Sequence, residues 1–234
     1  MTETKNINER IIIALDVEDY GAATQIVDQL PRAVFFKVGL QAYIQFGEKI
    51  ISYLKEQHKK IFLDLKFKDI PNTVYGAVVS SQHYEPNFLT LHLSGGGEMI
   101  RQAVAAAAKS PGLTLLGVTV LTSLSDQDLQ DTGITLSTAD TVLKLCRLGL
   151  ENGLKAFVCS PQEIEPIRTH LGDDVILVTP GIRPLWAAKG DQKRVFTPRM
   201  AIEAGSNYLV IGRPITAQDN PQDAFDKIVA EIAS

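Results

Sequence analysis

Short runs rich in β-branched and aromatic residues alternate with helical stretches eight times along the 234 residues. No other feature of the chain narrows its fold so far. The strand-like runs are 11–16 (IIIALD), 33–38 (AVFFKV), 60–66 (KIFLDLK) and 88–93 (FLTLHL), followed by 114–121 (TLLGVTVL), 155–159 (KAFVC), 175–179 (VILVT) and 207–211 (NYLVI). Between them, segments such as 43–56, 97–109, 138–150 and 221–232 space their apolar residues at the helical period. Strands separated by helices imply a parallel sheet with helical crossovers. Eight such units fit a closed (β/α)8 TIM barrel, an α/β fold. The competing architecture, an open doubly wound sheet, should carry a GxGxxG turn after its first strand, and residues 11–16 lead into none. No Pro/Gly-rich linker or change of composition interrupts the pattern, so 1–234 reads as a single domain.

Composition removes several classes of function. With 45% hydrophobic and 21% charged residues, the chain has an ordinary globular balance, which argues against disorder. A net charge of −4 provides no general field to draw it to nucleic acid, although local basic groups still suit a single phosphate. No apolar run approaches the length of a membrane span. The N-terminal MTETKNINER lacks the apolar centre of a signal peptide. A cytoplasmic protein that binds neither membrane nor nucleic acid is the expectation. Cys146 and Cys159 lie in apolar runs without CxxC spacing and read as buried, inert thiols.

The strands carry a second signal, in their charges. Alternate residues of a strand face opposite sides, so Asp64 and Lys66 share one face of 60–66 while Ile61, Leu63 and Leu65 take the other. Asp16 stands at the end of the first strand and Lys37 near the end of the second. Four charges converging from three strands, at the barrel end where active sites are built, are hard to explain as structural ion pairs. The pattern Asp64-x-Lys66-x-x-Asp69 places a lysine among carboxylates. Burying such groups is costly unless they satisfy one another. Neighbouring anions favour the protonated lysine, which suits it to donate a proton. Lys37 is expected to pair with Asp64 from the adjacent strand and so extend the alternation. Asp16 and Asp64 could in principle share a metal ion, but no His/Asp/Glu cluster has convincing ligand spacing, so no metal is assigned.

A second group of residues lies towards the C-terminus. Thr179-Pro-Gly-Ile-Arg-Pro184 is followed by Gly190-Asp191-Gln192 and then by Ile211-Gly212-Arg213-Pro214. Loops after the seventh and eighth strands of such barrels frequently hold phosphate. Gly181 and Gly212 allow a ligand to approach the backbone, Arg213 offers a forked donor, and Gln192 offers an amide. The connection 181–196 is long for a strand-to-helix link and reads as a binding loop or lid that includes Trp186. His92 after the fourth strand reads as structural, and His58, His83 and His170 as solvated.

These motifs resemble a known family. The run from Phe62 to Thr73, FLDLKFKDIPNT, closely resembles the signature of orotidine 5′-monophosphate decarboxylases. Ala14-Leu15-Asp16, Lys37-Val38-Gly39, Val120-Leu121-Thr122-Ser123, Thr179–Pro184, Gly190–Gln192 and Ile211–Thr216 are similar to the same family, in order along nearly the whole chain. Lys68 stands where many members have His. The resemblance implies cofactor-free decarboxylation of orotidine 5′-monophosphate to uridine 5′-monophosphate, the last step of de novo pyrimidine nucleotide synthesis. It also implies roles. Lys66 would protonate C6, Asp64 would lie against the substrate carboxylate, and Asp69 would complete the charged network. Asp16 and Lys37 would hold ribose hydroxyls, Thr122 or Ser123 would touch the pyrimidine, and Arg183, Gln192, Gly212 and Arg213 would bind the phosphate end. Asp69 and Thr73 would reach in from a neighbouring subunit, which implies a homodimer.

Two other readings compete with this one. Related barrels with a similar DxKxxD segment act on sugar phosphates, as decarboxylases, synthases or epimerases, using Mg²⁺ and an enediolate; Ile70-Pro71-Asn72-Thr73 and the TPGIRP loop argue against that chemistry here. A non-catalytic phosphate binder would have little use for a lysine flanked by two carboxylates.

Overall fold

The computed structural model describes residues 6–187 and 196–234. Among the described residues eight strands form: β1 (Ile11–Ala14), β2 (Phe35–Gly39), β3 (Lys60–Phe67), β4 (Phe88–His92), β5 (Thr114–Val118), β6 (Ala156–Val158), β7 (Ile176–Thr179) and β8 (Tyr208–Ile211). They pair in chain order, and β8 returns to β1 to close a barrel. Ile12 lies opposite Phe35 on one side and Val210 on the other, both in parallel register. The expected TIM barrel is the observed fold.

The chain groups into two compact units, Met1–Asp64 with Thr179–Ser234, and Leu65–Val178. In the first, Ile11, Ile12, Ile13 and Leu15 are fully buried, as are Phe36 and Phe225. An unbroken apolar run is what a parallel strand covered on both faces requires. Burying each such isoleucine contributes about 1.5–3 kcal/mol relative to leaving it in water. Arg10 fastens the start of β8 to the segment before β1: its Nε donates to the Asn207 carbonyl at 3.1 Å and its Nη2 to that of Ser206 at 2.7 Å. Thr179 and Ser206 share a buried hydroxyl–hydroxyl hydrogen bond of 2.8 Å.

One helical segment departs from its expected form. The stretch read as one helix over 43–56 is two, Leu40–Phe46 and Glu48–Glu56. Gly47 separates them with φ of +55°, a backbone conformation that glycine adopts without a Cβ clash. The other helices in this unit start from local chemistry. Asp19 accepts the Ala22 amide at 2.9 Å ahead of Tyr20–Asp28, and Pro221 opens Pro221–Ala233, where its missing N–H costs nothing.

In the second unit, Phe88 on β4 lies opposite Thr114 on β5, and Gly117 on β5 opposite Phe157 on β6. Leu93, Met99, Ile100, Cys146 and Phe157 are its fully buried centre. Pro71 sets the first turn of helix Pro71–Ser81. Ser137 accepts the Asp140 amide at 3.1 Å to start Thr138–Glu151. Ser125 and Asp128 form a reciprocal capping box at Asp126–Asp131, in the segment that follows β5. The fifth strand ends at Val118 rather than 121, because the chain enters a turn closed by Leu124 N–H to the Leu121 carbonyl at 2.9 Å.

Candidate active site

Lys37 is central to the charged cluster of the first unit. It lies in the middle of β2, not at its end, and is only 8% exposed. Its ammonium donates to Asp16 Oδ1 at 3.0 Å and stands 3.6 Å from Asp64 Oδ2. β2 and β3 explain the second contact, since Gly39 pairs with Asp64 in register and Lys37 precedes it by one strand period. Asp16 lies two residues beyond β1, where the chain has left the ladder, and its side chain is 57% exposed. Asp64 on β3 is nearly enclosed, with its side chain 13% exposed. A buried ammonium between two carboxylates meets the condition for keeping such charges out of water, because each is paired.

Gly39 permits this arrangement. A Cβ built there would come within 2.9 Å of Lys37 Nζ and 3.3 Å of Asp16 Oδ1. The Lys37-Val38-Gly39 run thus combines the cation with the space it needs.

Lys66, in the second unit, has an unusual backbone. Its φ is +52°, in the left-handed region that a lysine rarely occupies. Such a conformation costs about 1–3 kcal/mol and persists only where the surroundings impose it. Its amide donates to Thr90 Oγ1 at 2.9 Å, and Thr90, on β4, is fully buried. Lys66 thus departs from the extended backbone that a shared face with Asp64 presumes. A period of two presumes extended backbone at each residue, which holds through Asp64 but not at Lys66. The sequence pattern does not single out Thr90, although it carries a signal: Thr90 is the one polar residue ahead of His92 in the apolar run Phe88–His92.

Asp69 is exposed, just before helix Pro71–Ser81, and its carboxylate accepts the Ile70 amide at 2.6 Å. Thr73 is exposed in the first turn of that helix. Thr122 and Ser123 are exposed in the turn after β5.

The C-terminal group belongs to the first unit. Arg183 is half-buried, and its amide donates to the Phe196 carbonyl at 3.1 Å, tying together the two ends of the long connection. Gly181 has φ of +77° with open space where a Cβ would stand. Gly212 precedes the short helix Arg213–Thr216, and its carbonyl accepts the Ile215 and Thr216 amides at 2.8 and 3.0 Å. Arg213 is exposed. Trp186 is 43% exposed, with Lys227 Nζ 5.8 Å from its ring centroid. Gln192, Gly190 and Asp191 lie outside the described residues. His92 is half-buried at the end of β4.

A closed parallel barrel whose β2 and β3 carry a buried carboxylate–lysine cluster defines a β/α-barrel protein with an electrostatically built site. Residues 9–228 match the model of the orotidine 5′-phosphate decarboxylase / HUMPS family, and the chain belongs to that family. It is 46% identical over 231 residues to the orotidine 5′-phosphate decarboxylase of Gloeothece citriformis, covering 97% of this chain and 99% of the relative. The Synechocystis protein of the same name is 45% identical over 227 residues, covering 96% and 98% of the two chains. Among solved structures, the orotidine 5′-phosphate decarboxylase of Lactobacillus acidophilus superposes with a TM-score of 0.86 at 37% identity, covering 97% of this chain and all of that one.

Proposed function

We propose that this chain decarboxylates orotidine 5′-monophosphate to uridine 5′-monophosphate and CO₂, closing de novo pyrimidine nucleotide synthesis. The observation that carries the reading is its likeness, over nearly its whole length, to chains named for that activity. The charged cluster supplies the chemistry. Loss of CO₂ from C6 leaves an electron pair in the plane of the ring, outside the π system, so it must be stabilised by charge from outside. Lys66 is the proton donor in this reading. An ammonium positioned before the reaction stabilises the developing carbanion more than the ground state, and then protonates it. Asp64 lies against the substrate carboxylate, adding a repulsion that is relieved as CO₂ leaves. Lys37 and Asp16 hold the ribose hydroxyls, and Thr122 or Ser123 contacts the pyrimidine.

Arg183, Gln192, Gly212 and Arg213 bind the phosphate. Binding energy gained at that end positions C6 at the other. Asp69 and Thr73 act across a homodimer interface, a reading supported by their exposure and by an apolar side chain left in water beside Asp69. Ile70, next in sequence, is 67% exposed. The proposal treats 1–234 as one catalytic domain working in the cytoplasm. Two free, buried cysteines accord with a reducing compartment. Among the described residues no helix is long and apolar enough to cross a membrane.

The test is the loss of orotidine monophosphate absorbance on adding purified, EDTA-treated protein. Turnover should be complete in wild type and lost by orders of magnitude in Lys66→Ala that still folds. A requirement for Mg²⁺, or turnover only of sugar phosphates, would move the chain to the other branch of its family's name.

A further inference from the structure

We infer that Thr90 is a positioning residue for catalysis: its buried hydroxyl holds the left-handed backbone of Lys66 and thereby aims the Lys66 ammonium. The inference rests on the reading of Lys66 as proton donor. Three observations converge on it. Lys66 has φ of +52° inside β3. Its amide donates to a side chain on the neighbouring strand, Thr90 Oγ1 at 2.9 Å. Thr90 is fully buried on β4, an otherwise apolar strand up to His92, where a valine would serve packing equally well.

Threonine suits the task mechanically. Its branched Cβ restricts χ1, so the hydroxyl acceptor stays in place once β4 is packed. The register of β4 against β5, with Thr90 opposite Leu116, anchors that Cβ in turn. An unusual backbone conformation at a functional residue persists when a neighbour imposes it. Here the neighbour is identified, and it lies one strand away rather than next in sequence.

The experiment compares Thr90→Val, Thr90→Ala and Thr90→Ser with wild type and Lys66→Ala, using orotidine monophosphate as substrate. Removing the hydroxyl should lower kcat by about 10- to 100-fold, the scale of a misplacement near 1 Å, while KM stays within about twofold. Thr90→Ser should restore most of kcat, and Thr90→Val combined with Lys66→Ala should be no slower than Lys66→Ala alone. Hydrogen–deuterium exchange should rise at the Lys66 amide in the Val and Ala variants, with the amides of β4 and the rest of β3 unchanged. An active wild type and inactive Lys66→Ala, together with Val and Ala variants of undiminished kcat, would overturn the role of Thr90 and leave the functional reading intact. So would a serine variant as slow as the valine one, or loss of kcat only in step with global unfolding. An inactive wild type, or an active Lys66→Ala, would overturn the functional reading and this inference with it.

Discussion

The Lys37 ammonium lies between two carboxylates from different parts of the barrel, 3.0 Å from Asp16 and 3.6 Å from Asp64, and its side chain is almost wholly out of water. Lys37 and Asp64, both largely out of water, are tolerable only as a pair, and Asp16 joins them from the exposed edge. The most informative perturbations therefore shift one member without deleting it.

Gly39→Ala is such a perturbation. The backbone there, φ −87° and ψ −178°, suits alanine, so the only conflict is the new methyl group against Lys37 Nζ and Asp16 Oδ1. The flexible lysine end should give way. We expect kcat/KM to fall by about 10- to 100-fold with a thermal midpoint close to wild type. A variant that is fully active, or one that loses stability and activity in proportion, would contradict the steric account.

Arg213→Ala should act through substrate binding. Losing a charged hydrogen bond to phosphate costs about 1.5–3 kcal/mol, or roughly 10- to 150-fold in affinity. Orotidine without its phosphate should be turned over equally by variant and wild type. An equal loss on both substrates would place Arg213 elsewhere than at the phosphate.

Mixing Asp69→Ala with Lys66→Ala tests the shared site. If Asp69 serves the neighbouring subunit, heterodimers carry one site with both residues intact, and activity should return to a fraction of wild type. Verified mixed dimers with no recovered turnover would confine Asp69 to its own chain.

Glu163 predicts a pH dependence of stability. It is buried and accepts the Ser160 amide at 2.7 Å; burial raises its pKa above the ordinary 4.5, while the hydrogen bonds from Ser160 oppose the rise. A raised folded-state pKa means stability is fully present below the unfolded value and is lost as pH climbs through the folded one. Denaturant midpoints measured from pH 4 upward (a range chosen from the ~4.5 carboxyl value) should therefore fall in wild type relative to Glu163→Gln. A difference that stays constant with pH would show that the carboxyl is not perturbed as burial implies.

The thiols should be inert. Burial, then the nearby Glu163 carboxylate, push Cys146 up to about 12, and Cys159 is fully buried. A thiol reagent at mildly alkaline pH should count no cysteines in the native protein and two after unfolding. Rapid native labelling of Cys146 would mean that its surroundings open.

The residues themselves determined the barrel, because a parallel strand buried on both faces must be apolar throughout and its crossover helices must carry a stripe, and both patterns are local. The same logic exposed Asp16, Lys37 and Asp64, since a charge within such a run is costly enough to need a purpose. Other features depend on tertiary structure. Whether 43–56 is one helix or two turned on the backbone that Gly47 adopts, and the composition of the segment did not reveal it. The Lys37 bridge depends on strand register, and the setting of Lys66 depends on a hydroxyl from β4, 24 residues away. A period-two pattern assumes extended backbone. Only the folded chain could show that Lys66, the proposed proton donor, departs from it, because its amide contact to Thr90 is made across the sheet and not along the sequence.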